Sequence, residues 1–368
     1  MDPHSSDSLD IDHLVACLGG DAELSASARA TRAFLRAREV KTARDLLRLT
    51  LMYGPGGLSL RTAAAVAAGG GIADISDVAL LKRIRGAAPW LEVLCARLLN
   101  VSVCGKSPSP QQAAEPTGWS GAISLLDASV INAPGQAANY RLHLRWDARS
   151  QCIADARFTP TKAGERLDLL AAEPGALIIA DRGYPQPDGL RNTLDRSAHV
   201  LVRVTWNSLK LKDQGGHPLD WLALCDQARD SGLERAVTVH KSRGRFQPIP
   251  MRLVMIPKPP EGADQGRRKA KRASVKDQRK TIDPRTLACA GFLIVLTSLP
   301  QSVTASEILT LYRLRWQIEL VFKRLKSLLH LDRLPARDPD LARAWLHAHL
   351  LQALIAEHLI AQADALPP

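Results

Sequence analysis

The stretch from Leu311 to Leu331, LYRLRWQIELVFKRLKSLLHL, carries one carboxylate among several cations and a tyrosine. At 100° per residue, a continuous helix places one set of polar residues within an arc of about 80°: Tyr312, Arg315, Glu319, Lys323 and Lys326. One interpretation is an exposed face with i,i+4 ion pairs around Glu319. The alternative is that Glu319 binds a divalent metal ion while its neighbours hold phosphates, because a bare carboxylate would repel a phosphodiester.

Two aspartates each follow a run of apolar residues that predicts a buried strand. Asp127 comes directly after AISLL, and Asp181 comes directly after GALIIA. An acid at the end of a buried strand lies at the edge of a sheet, where ligands gather in α/β proteins. Because burial of an unpaired carboxylate is unfavourable, each acid needs a cation, a metal ion or hydrogen-bond donors. The alternative for either residue alone is a capping or turn aspartate.

Together these residues resemble the bacterial insertion-sequence transposases of the DDE superfamily, in particular the cut-and-paste group with the YREK signature. That signature is Tyr, two residues, Arg, three residues, Glu, six residues and Lys, and the matching positions are Tyr312, Arg315, Glu319 and Lys326. Lys323 fits an additional lysine often found there. The family's second block is similar to Asp181-Arg182-Gly183-Tyr184, and Asp127 fits its first acid. The resemblance covers about residues 120–330.

The resemblance implies a chemistry for these residues. Asp127, Asp181 and Glu319 would bind two Mg²⁺ (or Mn²⁺) ions and form the catalytic triad of an in-line phosphodiester displacement. Tyr312, Arg315, Lys323 and Lys326 would hold phosphates beside the scissile bond. A DNA hairpin with a base flipped onto an aromatic residue is typical of the family. Trp206 and Trp221 are candidates for that aromatic residue, although neither lies in a matching motif.

The resemblance also implies the fold: an α/β protein whose RNase H-like mixed-sheet catalytic core is interrupted by a β-rich insertion and preceded by an all-helical domain. The 138 positions that separate Asp181 from Glu319 suit such an insertion. The predicted division is a helical DNA-binding domain over residues 1–100, a linker over 101–118, the first part of the core over 119–206, the insertion over 207–288, and the second part of the core with the C-terminal helices over 289–368.

Residues 1–100 contain Ala/Leu/Arg-rich segments with helical spacing, separated at Gly54–Gly57 and Gly69–Gly71. The segment ISDVALLKRIRGA predicts a helix capped by Ser76 or Asp77, with Lys82, Arg83 and Arg85 in its last turns. Two short helices around a glycine turn resemble a helix-turn-helix. We therefore expect these three cations to contact DNA, the alternative being a helical bundle with a solvated basic face.

Residues 119–206 predict three strands in a meander followed by alternating helices and strands, which indicates a mixed sheet covered by helices. The segment GERLDLLAAE is predicted as a helix whose dipole Glu165 complements. Arg203, in the strand VLVRVTW, either faces the site or lies on a surface strand.

The segment from Lys258 to Arg285 carries ten Lys/Arg and four Asp/Glu, half of the net charge of +12. It is predicted as a polar loop, either solvated or ordered on a phosphate backbone. Its candidate DNA-binding residues are Arg267, Arg268, Lys269, Lys271 and Arg272. Beyond it, a buried strand precedes one long helix from about Ala305 to His330 and a last helix over Arg343–Gln362.

Composition narrows the class of protein. A hydrophobic fraction of 46% is ordinary for a globular protein, and the excess of 49 Lys/Arg over 37 Asp/Glu indicates a polyanionic partner. The longest nearly uncharged apolar run, Leu287–Leu299, is too short to span a bilayer, so no membrane partner is expected. Six widely spaced cysteines disfavour a zinc ribbon or disulfide framework and indicate reduced thiols. The predicted location is the bacterial cytoplasm, in association with the nucleoid.

These observations predict a DNA transposase that cleaves phosphodiester bonds at transposon ends and transfers the strands into target DNA. Its partners would be double-stranded DNA, as terminal inverted repeats and target, and a second copy of the chain in the end-paired complex. Two alternatives stay open. One is a metal-dependent endonuclease without strand transfer, and the other is a catalytically silent DNA-binding repressor derived from a transposase.

Overall fold

A computed structural model describes residues 4–100, 119–135, 139–170, 172–276 and 281–363. The linker predicted over 101–118 lies outside the described residues.

Five helices lie in the described residues 4–100. They are α1 (His4–Cys17), α2 (Gly20–Ala30), α3 (Ala43–Tyr53), α4 (Leu60–Gly69) and α5 (Asp77–Asn100). The N–H of Ala79 donates to Oγ of Ser76 at 3.3 Å, so Ser76 caps α5 as predicted. Helix α3 ends at Tyr53, directly before the first glycine segment, and α4 ends at Gly69, the first residue of the second segment. Both predicted breaks are therefore confirmed.

Nine strands form one mixed sheet in the order β3-β2-β1-β4-β5-β9-β8-β7-β6. They are β1 (Ile123–Ile131), β2 (Tyr140–Asp147), β3 (Cys152–Pro160), β4 (Leu177–Ala180), β5 (His199–Arg203), β6 (Lys210–Lys212), β7 (Leu233–His240), β8 (Ile249–Pro257) and β9 (Phe292–Thr297). Strands β1, β4 and β5 are mutually parallel, whereas all other neighbours pair antiparallel. The predicted meander of three strands is confirmed as β1, β2 and β3.

Seven further helices lie in the described residues after β1. They are α6 (Pro187–Asp195), α7 (Trp221–Gln227), α8 (Pro260–Lys276), α9 (Pro284–Cys289), α10 (Ala305–Arg313), α11 (Trp316–Ser327) and α12 (Pro339–Ala363). None of the helices in the described part of the chain is long and apolar enough to cross a membrane.

The sheet has a hydrophobic core on each face. Because successive side chains of a strand point to opposite faces, Leu125 belongs to one core and Leu126 to the other. The first core also contains the buried residues of α1–α5 and of α10–α12, and the second contains those of α6 and α7. Strand β4 is buried along its whole length and contributes to both cores, as its unbroken apolar run predicts.

Three predicted elements differ from the structure. No helix lies in the described part of residues 164–173, where one is predicted: a short 3₁₀ turn, Thr161–Ala163, is capped by Gly164, and irregular backbone with turns and bends follows up to Leu170. The long helix predicted from Ala305 to His330 is two helices, because the N–H groups of Leu314 and Arg315 bond three residues back, to Leu311 and Tyr312, and tighten the chain there. The predicted polar loop after Lys258 is instead helix α8.

Helix α8 forms although its segment is strongly polar, because most of its residues are good helix formers. Arg, Lys, Gln and Ala dominate the segment and are good helix formers. Only small side chains and glycines face the protein, among them Ala263, which is buried, and Gly266, which approaches the carbonyl of Ala290.

The cysteines also require a correction. Cys17, Cys95, Cys225 and Cys289 are free thiols, as predicted. Cys152, at the start of β3, is disulfide-bonded. The expectation that all six thiols are reduced is therefore wrong for this residue.

Candidate active site

Asp127 and Asp181 lie side by side on neighbouring parallel strands. Leu126 of β1 pairs with Ala180 of β4, and the next residue on each strand is the acid. Since Leu126 and Ala180 face the second core, both acids point to the other face of the sheet, where α11 contacts β1. The prediction that a buried strand ends in each acid is correct for Asp181, which directly follows β4, and wrong for Asp127, since β1 continues to Ile131 through its pairing with β2. The parallel pairing of β1 with β4 nevertheless brings the two predicted site residues together.

Asp127 is held where its charge is unfavourable. Burial, above all, raises the pKa of Asp127 to about 6, and the negative charges of Glu165 and Asp181 add to this. The N–H of Ala128, which donates to Asp127 Oδ1 at 2.8 Å, and the charge of Arg315 act in the opposite direction. A group of acids close enough to raise one another's pKa values is a site that attracts cations.

Arg203 brings one cation to this edge of the sheet. Val202 of β5 pairs with Ala180 of β4, so that Arg203, the next residue, lies beside Asp181. Its Nη1 is 3.7 Å from Asp181 Oδ1. Of the two predicted positions for Arg203, the structure has the one that faces the acids.

Tyr312 connects the helical signature to the strand acids. It occupies the last turn of α10, a helix that begins with a capping box between Thr304 and Glu307. The buried Tyr312 hydroxyl donates a hydrogen bond to Asp181 Oδ1 at 3.2 Å. Burial, together with the charge of Asp181, raises the pKa of Tyr312, so the hydroxyl stays protonated and remains a donor.

Arg315 lies among all three predicted catalytic acids. Its Nη2 donates to Glu319 Oε1 at 2.5 Å, one turn along α11. The positive charge of Arg315 also lowers the pKa of Asp127, and it interacts with the negative charge of Asp181. The Nε of Arg315 is buried without a hydrogen-bond partner among the described residues. The i,i+4 pair expected for an exposed face is thus present, but its cation is largely buried against the acids.

Lys323 and Lys326 lie farther along α11, beyond Glu319. Lys323 is exposed and Lys326 is half-buried. Neither forms an ion pair within the described part of the chain, so their ammonium groups are available to an anionic ligand. Together with Arg315 they extend the positive charge of this helix away from the acids.

Glu165 is a further acid at the site that the sequence did not reveal. Its carboxylate packs on Gly183, where a Cβ atom would overlap with Oε2 of Glu165. Its Oε1 lies 3.9 Å from Nη1 of Arg141 on β2. Burial is the main cause that raises the pKa of Glu165, and the negative charge of Asp181 raises it further. The one available signal is the glycine of the Asp181–Tyr184 block, which leaves room for another side chain.

The predicted cations of the N-terminal helices contact other parts of the protein or solvent. On α5, Lys82 is exposed, Arg83 donates to the carbonyl of Arg36 at 3.3 Å, and Arg85 lies 3.2 Å from Asp338. The structure does not bring them into contact with Asp127, Asp181 or Glu319.

The predicted cations of the basic segment form the outer surface of α8. Arg267 pairs with Asp264 at 2.8 Å. The other four, Arg268, Lys269, Lys271 and Arg272, are exposed and have no ion-pair partner among the residues described. The helix presents these charges at fixed spacing on its solvent side.

The two tryptophans proposed for a flipped base are both engaged. Trp221 is buried in the second core, so it does not fit this role. Trp206 donates from Nε1 to Thr286 at 2.9 Å, and the guanidinium of Arg285 lies 3.8 Å from its ring centroid. The exposed aromatic residue nearest to the site along the chain is Trp316, which follows Arg315 and is 60% exposed.

The donor set at this edge suits a hard divalent cation, because carboxylate oxygens are the ligands that Mg²⁺ and Mn²⁺ prefer. Within the described ranges, however, no group of three His, Cys, Asp or Glu side chains converges as an ion site. The carboxylate of Glu319 is bonded to Arg315 in this structure.

The comparison with protein families identifies the class. Residues 118–355 match the family described as the transposase DDE domain. This match covers both strands with acids, helices α10 and α11, and most of α12. The chain belongs to this family, as the resemblance predicts.

Named relatives agree with this assignment. A protein named as the transposase InsL for insertion sequence element IS186A of Escherichia coli (strain K12) is 38% identical to this chain, over 96% of this chain and 95% of its own length. The transposase for insertion sequence element IS421 of Escherichia coli is also 38% identical, with the same coverage. The transposase for IS231F of Bacillus thuringiensis subsp. israelensis is 25% identical over 57% of this chain and 50% of its own length.

Proposed function

We propose that this chain, a DDE transposase by family, cleaves phosphodiester bonds at the ends of an insertion sequence and transfers the strands into target DNA. The observation that carries the proposal is the convergence of two segments. Asp127 lies within β1 and Asp181 directly follows the neighbouring parallel strand β4, and the signature of α10 and α11 faces them through the hydrogen bond from Tyr312 to Asp181.

We propose an RNase H-like core for this activity. Its support is the strand order β3-β2-β1-β4-β5, with β1, β4 and β5 parallel and β2 antiparallel to both β1 and β3. Strands β6–β8 would belong to the insertion over residues 207–288, and helices α1–α5 to a DNA-binding domain over residues 1–100.

Asp127, Asp181 and Glu319 would hold the metal ions, two Mg²⁺ or Mn²⁺. Glu319 joins the other two acids only when its ion pair with Arg315 opens. When bound, the metal supplies Lewis acidity for an in-line displacement at phosphorus. A cation here would also relieve the repulsion that contributes to the raised pKa of Asp127, about 6.

The basic residues around the acids would hold the phosphates of the substrate. Arg315, once free of Glu319, can form two hydrogen bonds with one phosphate, as a planar guanidinium does. Lys323 and Lys326 offer point charges farther along α11, and Arg203 offers another beside Asp181. Tyr312 would position Asp181 and contact the adjacent phosphate.

Contacts away from the scissile bond would give general affinity for double-stranded DNA, from the terminal repeats and the target. We assign these contacts to the cations of α8 and α5 described above. Phosphate contacts of this kind set affinity and its salt dependence rather than sequence preference. Pairing two transposon ends in one complex calls for a second copy of the chain.

The test compares strand cleavage, strand transfer and DNA binding in single variants. In the presence of Mg²⁺, Asp127→Asn, Asp181→Asn and Glu319→Gln should each abolish cleavage of a duplex that carries the element's end, while binding to the same duplex is kept. Mutants that cleave at the normal rate would overturn the assignment of the acids. Product joined to a target plasmid separates a transposase from an endonuclease, and a wild-type chain that binds without cleaving would be the silent repressor.

Asp155→Asn is a matched control. Asp155 lies on β3 and accepts a hydrogen bond from the next N–H at 2.8 Å, as Asp127 does. Through the pairing of Leu144 with both Asp127 and Ala156, its side chain points to the face opposite Asp127. It should cleave like the wild type.

A further inference from the structure

A basic groove lies where strands β6 and β7 meet the start of helix α6. Its volume is about 330 Å³, and its lining comes from three separate segments. The lining residues are Pro187, Ser208, Leu209, Lys210, His240, Lys241, Ser242 and Arg243. The sequence alone assigns no role to any of them.

The groove carries an excess of positive charge. Lys210 and Arg243 are exposed and form no ion pair within the residues that the structure describes. Lys241 binds Asp188 at 2.7 Å, which neutralises one of the three cations in the lining. The pKa of His240 is lowered mainly by desolvation, and the positive charges of Lys212 and Lys210 lower it further. A concave surface with unpaired cations and two serine hydroxyls suits a phosphate backbone.

The groove adjoins the acid site through the segment that follows β4. Pro187 in its wall is six residues after Asp181. Gln186, between them, donates from Nε2 to the carbonyl of Glu165 at 3.1 Å. The ion pair between Lys241 and Asp188 fastens the end of β7 to the first turn of α6. The insertion therefore reaches back to the same loop that carries the acid cluster.

We infer that this groove binds the phosphate backbone of the transposon-end duplex, on one side of the scissile phosphate. The inference rests on the proposed function and adds a binding subsite to it. Lys210 and Arg243 contact phosphates directly, whereas Lys241 holds the groove together through Asp188. The groove would thereby fix the register of the DNA at the acids.

The test removes the two unpaired cations and leaves the ion pair intact. Lys210→Gln with Arg243→Gln should make the negative slope of log affinity against log salt for an element-end duplex shallower by about 2, since each phosphate contact contributes about −0.9. The control is Arg229→Gln with Arg235→Gln, an equal change of charge near the opposite end of β7, which should leave the slope unchanged. Equal slopes for the groove variant and the wild type would overturn the inference.

Two further measurements, capture of a target plasmid and cleavage with joining of DNA, identify which DNA the groove binds and separate this inference from the proposed function. If the groove variant weakens only capture of a target plasmid and binds the element end normally, the assignment to the transposon end is wrong. If the wild type cleaves and joins DNA but the groove variant shows no change, the subsite fails while the transposase activity stands. If the wild type binds with the predicted groove dependence but never cleaves, the activity fails while the subsite stands.

Discussion

The hydroxyl of Tyr312 donates a hydrogen bond to Oδ1 of Asp181 and so joins the end of helix α10 to the end of strand β4. Arg203 of β5 lies 3.7 Å from the same carboxylate oxygen. Asp181 is therefore held by two side chains from elements far apart in the sequence, and Tyr312 positions an acid as well as facing the expected phosphate.

Replacement of Tyr312 by Phe should slow strand cleavage roughly tenfold or more. The ring would still fill its buried position, but the variant lacks the hydrogen bond to a charged acceptor, which typically contributes about 1.5–3 kcal/mol. Cleavage kinetics under single-turnover conditions measure the effect, and thermal unfolding checks the fold. Tyr53→Phe, at another buried tyrosine, is the control and should cleave normally. A Tyr312→Phe variant with an unchanged rate would show that the bond does not position Asp181.

Gly183→Ala should destabilise the protein, and the cost should depend on Glu165. Gly183 is not among the residues with a positive φ, so its backbone tolerates alanine; the obstacle is the Glu165 carboxylate that occupies the position of a Cβ. Because this obstacle is the far end of a flexible side chain, which can rotate away, we expect the free energy of unfolding to fall by less than about 1 kcal/mol, below the range typical of overpacked cores. In a Glu165→Ala background the decrease should be much smaller, and a double-mutant cycle measures the difference.

The control for that cycle is Gly189→Ala on α6, where an added Cβ would meet only ordinary contacts at 3.6 Å and beyond. That change should be neutral or stabilising in either background, because alanine favours a helix more than glycine does. A destabilisation at Gly183 that is equal in both backgrounds would mean that Glu165 is not the obstacle.

Four exposed cations of α8 should set part of the salt dependence of DNA binding. Replacing Arg268, Lys269, Lys271 and Arg272 by Gln should flatten the plot of log affinity against log salt, by up to about 0.9 for each phosphate that the helix no longer neutralises. Folding should be unaffected, since these side chains are exposed and glutamine also favours a helix. A variant with the wild-type slope would mean that α8 does not bind DNA.

Glu357→Gln should stabilise the protein at neutral and higher pH. The Glu357 carboxylate of α12 accepts a hydrogen bond from the N–H of Ile153 at 2.9 Å, and burial raises its pKa from an ordinary 4.5 to about 7. Between these two pH values the folded protein holds a proton that the unfolded chain has released, so the wild type becomes less stable as the pH rises from about 4.5 to 7.

Glutamine keeps the acceptor for Ile153 and removes the titrating group. The variant should match the wild type near pH 4 and exceed its unfolding free energy by about 3 kcal/mol at pH 8. Thermal or urea unfolding across this range provides the measurement. Parallel stability curves for the two proteins would show that Glu357 does not titrate on folding.

The convergence of the acids and the helical signature can be expected from the sequence for a local reason. Asp127 and Asp181 each follow an apolar run that is buried on both faces, and such runs become neighbouring central strands. The spacing from Tyr312 to Glu319 predicts one polar stripe on a continuous helix, whereas the structure places Tyr312 on α10 and Glu319 on α11. The tight turn at Leu314 and Arg315 cannot be predicted in this way, because it depends on tertiary contacts rather than on a breaker residue.

Other parts of the site depend on contacts that local sequence does not encode. Glu165 lies in a segment of good helix formers, and its position on Gly183 follows from the loop around it. The sequence of helix α8 predicts a loop because its protein-facing stripe consists of small residues, which give no hydrophobic periodicity. The basic groove combines residues near 187, 208 and 241, whose proximity follows only from the order of the strands.

That order has a mechanical consequence. Strand β9 is hydrogen-bonded to β5, which carries Arg203, and also to β8, which leads on to β7 and β6. The groove and the acids thus stand on one uninterrupted ladder of backbone hydrogen bonds, and neither can shift by the length of a nucleotide without breaking it. If the groove binds DNA as we infer, the distance along the DNA from the groove to the two aspartates is therefore fixed by the sheet.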